Sequence, residues 1–375
     1  MQPLQALVID CFEGGEGVSL CTPVAGLPLI MRQIITLKRG GCSDVYVVTK
    51  DSSVRNCAPS EIKCIDPDAL ERILRGCKEH FLVLWGDTFP LEGTIRQTGA
   101  VSDDFTVLSK PARPACNKWL KFMQGFGTVH IIDEPPDGRL KVINSQNDLQ
   151  EIETTLFEKL ISPTDSWLTK KINRRVSLWL TRKLANTFIH PNEITLLNFL
   201  LGIIAGTMFF KGAYFLSLLG ALLFLASSVI DGCDGELARL RYQTSKLGGW
   251  LDVVTDNIVH WVLFTGITVG CVKQYGLFPY ALFGALLLGG SVGAFLISST
   301  VSASSDNGLL FSESTLGTKT KKPEIIDKLA NRDFAYLLLA LALLNKIHWF
   351  LIAGGVGAPA FAGYLYYLLI HAGEA

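Results

Sequence analysis

A mainly parallel α/β domain followed by an all-α domain that crosses the membrane six times is the architecture predicted by this 375-residue sequence. Three observations predict it. In the first half, short β-branched or aromatic runs alternate with helical patterns, which is the signature of strands joined by crossover helices. In the second half, apolar residues gather into six segments near 192–209, 214–230, 252–272, 277–300, 333–345 and 349–370. Some are short for a span of about 20 residues, so their ends are expected to run into the flanks. Between the halves lies a stretch that is aromatic, basic and amphipathic at once. The regions expected are a soluble domain over 1–150, a linker with a juxtamembrane helix over 151–190, and a six-helix membrane domain over 191–375.

The strand candidates of the first half are QALVID, DVYVVTK, HFLVLWGDT and GTVHIID, and the helix candidates are PLIMRQIITLKRGG and PDALERILRGCKEH. Ligands of such sheets bind at the carboxyl ends of the strands. Two features stand there, the turn Glu13-Gly14-Gly15-Glu16-Gly17 and Asp87 of WGDT. The nine cysteines are odd in number and form no CxxC pair, so they imply neither a disulfide framework nor a zinc site. Lysine plus arginine equals aspartate plus glutamate at 34 each, which gives no reason to expect a nucleic-acid partner. The amino terminus lacks the basic start and long apolar core of a signal peptide, so membrane insertion is assigned to the later spans.

In the juxtamembrane stretch, Ile172, Val176, Trp179, Leu180 and Leu184 recur at helical spacing, with Lys170, Lys171, Arg174, Arg175, Arg182 and Lys183 between them. A helix lying in the headgroup region is expected, against the plainer reading of a surface helix packed on the soluble domain. With the soluble half inside, the inner loops hold Arg239, Arg241, Lys246, Lys319, Lys321, Lys322, Lys328 and Arg332, and the outer loops only Lys211, Lys273 and Lys346. That bias places both termini in the cytoplasm. Gly266 with Gly270, and Gly289 with Gly293, make GxxxG spacings that permit close helix contact. His190 and His260 read as interfacial or core residues rather than ligands.

The stretch DGCDGELARLRYQTSKLGGWLDVVTD carries Asp231, Asp234, Asp252 and Asp256 at the edges of two apolar runs. Each pair shares a helix face, at i, i+3 and i, i+4. Four converging carboxylates repel one another unless cations lie between them, and oxygen-only ligation suits Mg²⁺ or Mn²⁺. Acids at a membrane boundary are functional by default.

At eight fixed positions, Asp231, Asp234, Gly235, Ala238, Arg239, Gly248, Asp252 and Asp256, the stretch resembles the signature of the CDP-alcohol phosphotransferases. The resemblance implies transfer of a substituted phosphoryl group from a CDP-alcohol to an acceptor hydroxyl, with release of CMP. It implies two divalent ions on Asp231, Asp234, Asp252 and Asp256, with Asp256 also the general base. Nucleotide contacts would come from Asn192 and Thr195 of the HPNEIT segment and from Asp231, Asp234, Gly235, Ala238, Arg239 and Gly248. Gly235 and Ala238 fit close approach of a nucleotide or of a neighbouring helix, and Arg239 fits either the diphosphate or a carboxylate. Lys319, Lys321, Lys322 and Arg332 would hold an acceptor that is itself a phosphate ester, or would serve positive-inside topology alone. The family also implies a homodimer. Two other classes place acids beside membrane spans. A membrane prenyltransferase would leave the Asp-Gly and Ala-Arg pairs without a reason. A cation- or proton-coupled transporter would carry its acids mid-span, with an internal repeat.

The first 130 or so residues resemble a sugar-phosphate cytidylyltransferase, as in fused enzymes that make CDP-inositol. There the glycine turn is followed by an arginine and a proline-lysine pair. Here Ser19 replaces the arginine, and SLCTPVAG is too short to carry the lysine. Asp87 matches the family's metal-binding aspartate. Glu13 and Glu16 would repel a polyphosphate on the loop. The domain is therefore expected to have lost nucleotide transfer and to serve a structural, regulatory or ligand-binding role.

Overall fold

The computed structural model describes residues 4–12, 18–76, 81–90, 105–109, 113–132, 140–161, 169–304 and 334–371. The glycine turn at 13–17 and the basic group Lys319, Lys321, Lys322 and Arg332 lie outside the described residues. The chain divides into two compact units, Met1–Glu158 and Lys159–Ala375.

The first unit is built on β1 (Leu4–Ile9), α1 (Leu29–Arg39), β2 (Cys42–Val48), β3 (Lys63–Ile65), α2 (Pro67–Gly76), β4 (Phe81–Trp85), β5 (Phe105–Val107), α3 (Pro114–Gln124), β6 (Val129–Ile131) and α4 (Gln146–Glu158). Its six strands run parallel in the order β3-β2-β1-β4-β5-β6. A parallel sheet is covered on both faces, so its strands are apolar throughout. Thus Phe81, Leu82, Val83, Leu84 and Trp85 are all buried. Alternate residues feed two cores: Ala6, Val8, Leu82 and Leu84 pack with Leu29, Ile34 and Leu37 of α1, while Leu7, Ile9, Val83 and Trp85 pack with Leu70 of α2 and with Cys116 and Met123 of α3. The strand order reverses between β1 and β4, the point where sheets of this kind commonly take ligands.

The second unit is helical: α5 (Arg174–Leu184), α6 (Pro191–Met208), α7 (Tyr214–Leu240), α8 (Lys246–Tyr275), α9 (Tyr280–Ser304), α10 (Phe334–Leu343) and α11 (Ile347–His371). Five of these, at 191–211, 214–240, 246–275, 280–299 and 347–367, are long and apolar enough to cross a membrane. The segment expected as the fifth span appears among the described residues as the ten-residue apolar helix α10. At about 1.5 Å per residue it is short of a bilayer's width. Helices α7 and α8 run beyond the apolar segments, and Asp231, Asp234, Asp252 and Asp256 lie within them.

Helices α6 and α8 meet backbone to backbone. A Cβ on Gly266 would lie 2.4 Å from the Gly206 carbonyl oxygen, and one on Gly270 would lie 2.3 Å from that of Phe209. The first GxxxG pair thus serves packing within one chain. Of the second pair, among the described residues, a Cβ on Gly293 would reach only Ala362 at 3.7 Å, and one on Gly289 nothing within 4 Å. Gly266→Ala is expected to lower the thermal midpoint of the intact chain through about 1–3 kcal/mol of overpacking, whereas Gly289→Ala leaves it unchanged. Equal midpoints for the two variants would count against this helix contact.

Candidate active site

Two long antiparallel helices bring the acids together. Ser245 caps α8, its Oγ accepting from the Gly248 amide at 3.0 Å, and so fixes where the helix carrying Asp252 and Asp256 begins. Carboxylate oxygens of Asp231, Asp252 and Asp256 lie within 4.8 Å of one another, and all three residues are half-buried. Such crowding of like charge is stable when a cation is shared, and three oxygen donors at this spacing fit a divalent ion.

Asp234, expected beside them, is not part of that group. It is buried, the Thr195 hydroxyl donates to its Oδ2, and its Oδ1 accepts from the Gly235 amide at 2.6 Å. Helix α6 supplies a second donor: Asn198 Nδ2 donates to Asp231 Oδ1 at 2.9 Å, while its Oδ1 accepts from Ser227 Oγ at 2.7 Å. Donors of this kind fix which way a carboxylate points. Asn198 and Ser227 escaped the sequence reading. The available signal was a polar residue three positions after Thr195 in an otherwise apolar span.

Gly235, Ala238 and Arg239 stand on α7, each half-buried. Among the described residues, a Cβ on Gly235 would meet only the Arg239 guanidinium, at 3.5 Å, and no neighbouring helix. Gly248 has a local reason, since a Cβ there would crowd Ser245 Oγ at 3.0 Å and Asn192 Oδ1 at 3.2 Å. His260 sits in a ring cluster with Phe224, Phe264 and Phe334, a core position. His190 is the N-cap of α6, its amide donating to Glu193 Oε2 at 3.1 Å.

Two further side chains, neither of them read from the sequence as structural, organise the approach to α6. Glu236 of α7 is wholly buried and ion-paired to Arg174 at 2.7 Å. The guanidinium of Arg241 donates to the carbonyl oxygens of Ile189 at 2.6 Å, Leu184 at 2.8 Å and Ala185 at 3.0 Å, closing the end of α5 and the turn into α6.

Bundled apolar helices with three gathered carboxylates define a membrane-embedded domain with a candidate cation site. The family of that domain is also shown: residues 188–357 match the CDP-alcohol phosphatidyltransferase family, and the chain carries a domain of that family over this span. A relative from Aquifex aeolicus, named bifunctional IPC transferase and DIPP synthase, is 31% identical over 150 residues, covering 39% of this chain and 34% of its own. An archaetidylinositol phosphate synthase from Pyrococcus horikoshii is 28% identical over 124 residues, covering 32% of this chain and 64% of its own. The chain thus spans about a third of the length of the first of these relatives. A crystal structure of Mycobacterium tuberculosis phosphatidylinositol phosphate synthase with CDP-DAG bound overlays with 21% identity and a TM-score of 0.34, over 51% of this chain and 93% of that one, too slight a likeness to rest anything on.

In the first unit a cleft of about 1030 Å³ opens at the carboxyl ends of β1 and β2, lined by Asp10, Phe12, Thr49, Lys50, Lys118 and Trp119 among others. Burial pushes the Asp10 carboxyl up, against a 2.7 Å hydrogen bond from Thr49 that pulls it down. Ser19 also lines the cleft, and its Oγ accepts from the Cys21 amide at 3.2 Å, closing a local turn. Asp87 is elsewhere. It has no exposed surface, and Arg113 Nε stands 3.1 Å from its Oδ2. Burial raises its carboxyl above the usual range and Arg113 draws it back. The carboxylate is thus matched by a buried guanidinium. Asp87→Ala is expected to destabilise the first unit of the intact chain by about 3–5 kcal/mol, because Arg113 would be left as an uncompensated buried charge. If instead the melting temperature rose, as it does when an acid kept only for metal binding is removed, the ion pair would not be what holds this site.

Proposed function

We propose that this protein is a membrane transferase that moves a substituted phosphoryl group from a CDP-alcohol to an acceptor hydroxyl and releases CMP. The observation that carries the reading is the convergence of Asp231, Asp252 and Asp256 between two helices of a CDP-alcohol phosphatidyltransferase domain. Asp231, Asp252 and Asp256 would hold divalent metal, Mg²⁺ or Mn²⁺, with Asp234 the fourth carboxylate of the set. When bound, two such ions would screen the charge on the attacking and departing oxygens of an in-line displacement.

The remaining chemistry belongs to the chain. Asp256 accepts the proton of the acceptor hydroxyl as its oxygen forms a bond to the alcohol-bearing phosphorus, and the bond from that phosphorus to the bridging oxygen of CMP breaks. Asn198 orients Asp231 toward the site, and Thr195 fixes Asp234 beside it. The open space over Gly235 and Ala238 takes the nucleotide, with Asn192, Thr195 and Gly248 at its edge, and Arg239 meets the diphosphate.

The name of the Pyrococcus relative brings a phosphorylated inositol forward as the acceptor to test first. The basic residues Lys319, Lys321, Lys322 and Arg332 suit such an anion by charge. We read six spans, and α5 together with the turn Thr169–Asn173 before it as an interfacial element, since Ile172, Val176 and Trp179 stand exposed there beside lysines and arginines. The positive loops put the first unit and the site in the cytoplasm, and a homodimer is the expected assembly. The first unit has given up nucleotide transfer, a reading supported by Ser19 and the Asp87–Arg113 pair. Intact chain supplied with CTP and a polyol phosphate is accordingly expected to release no pyrophosphate; Asp87-dependent release would overturn this.

The test of the main reading is CMP release by the intact chain in lipid vesicles, over a panel of CDP-alcohols and acceptors, with mass analysis of the product. Turnover should need Mg²⁺ or Mn²⁺ and vanish in Asp231→Asn. Asp256→Asn should lower kcat by about 10²-fold or more, the scale of general-base catalysis, while CMP affinity changes little. Should calorimetry show CMP binding lost as fully as turnover, Asp256 would be chiefly a metal ligand. Full turnover without metal would sink the reading.

A further inference from the structure

The helical stretch that leads into the membrane half, the turn Thr169–Asn173 continued by α5, packs inside out. Asn173, Ser177 and Thr181, spaced i, i+4, i+8, are buried, whereas Ile172, Val176 and Trp179 are 44%, 47% and 58% exposed. A helix docked by apolar burial would show the reverse. What holds the polar face is one carboxylate. Glu236 Oε1 accepts from Arg174 Nη1 at 2.7 Å and from Ser177 Oγ at 2.7 Å, and its Oε2 accepts from Thr181 Oγ1 at 2.7 Å. The Tyr336 hydroxyl of α10 donates to Asn173 Oδ1, so the same strip of α5 is also tied to α10.

Glu236 stands two residues after Asp234 on α7, roughly 200° around the helix axis at about 100° per residue. One side of these last turns therefore faces α6 and α8 with the acids, and the other is pinned to α5. A buried carboxylate satisfied by three donors, one of them charged, cannot shift without losing them all. Asp231 and Asp234 share its helix turns and move with it, toward or away from Asp252 and Asp256.

We propose that Glu236 is a positioning residue for the transfer reaction: it fixes α7 against the juxtamembrane helix so that Asp231 and Asp234 stay in register with Asp252 and Asp256. This rests on the reading of those acids as the reactive site. Misplacement by about 1 Å is enough to cost on the order of 10²-fold in rate, so a latch on the far side of the helix has leverage over chemistry it never touches.

The test uses the intact chain in vesicles and compares wild type, Glu236→Gln, the double variant Arg174→Met/Glu236→Gln, and Asp231→Asn. Mn²⁺ affinity is read by electron paramagnetic resonance, together with the thermal midpoint, kcat and acceptor KM. Glu236→Gln should weaken Mn²⁺ binding about tenfold and lower kcat by about 10–100-fold, with acceptor KM little changed. In the double variant no buried cation is left unpaired, so the midpoint should recover while Mn²⁺ affinity and kcat stay low. If kcat and Mn²⁺ affinity return with the midpoint, or never fell, Glu236 only stabilises the fold and the proposal is overturned. Asp231→Asn reports separately on the site: if it binds Mn²⁺ and turns over like wild type, the acids are not the reactive centre and both readings fall.

Discussion

Mutual repulsion among carboxylates is the constraint that the membrane half is built around. Asp231, Asp252 and Asp256 are held on two different helices at a separation where like charges favour parting. Keeping them there takes rigid backbone on every side. Helix α8 is locked to α6 by contact so close that no side chain fits between them at Gly266 and Gly270. Helix α6 in turn hydrogen-bonds the acids of α7 through Thr195 and Asn198, and α7 is secured from behind at Glu236. Each tie removes one way for the acids to separate.

The first unit shows the opposite treatment of an acid. Asp87 follows β4 in a sheet whose strand order is that of nucleotide-binding folds, yet it is shut away from the cleft and matched with an arginine. The cleft itself remains, with aromatic and charged walls. Two units of one chain thus treat carboxylates differently, one set gathered and half-open, the other matched internally with an arginine.

The α/β pattern was legible because its central strands are unbroken apolar runs, as in FLVLW, and α1 repeats apolar residues at helical spacing. The three-residue strands Lys63–Ile65 and Phe105–Val107 were not, since three residues are too few to show a period. In the membrane half, hydropathy located the spans and their shortness announced that they run into the flanks, but where α7 stops and α8 starts, at Leu240 and Lys246, had to come from structure. The acids stood out by spacing alone. The setting of Asp234 did not, because Thr195 reaches it from 39 positions away. Glu236 was hidden inside the signature, because the side chains that hold it, Arg174, Ser177 and Thr181, reach it from 62, 59 and 55 positions away.

The inside-out helix α5 also determines where the polypeptide can be divided. All three donors to Glu236 lie after Thr169, as does the exposed stripe of Ile172, Val176 and Trp179. Cleavage between Glu158 and Thr169 would leave every one of them with the membrane half and release the sheet unit with its cores whole. Cleavage a few residues later, after Leu184, would hand the released fragment an oily strip with nothing to cover it, and would leave behind a buried carboxylate stripped of its donors. A protease site or a gene boundary at the first position would thus keep the buried carboxylate with its donors, and one at the second would part them.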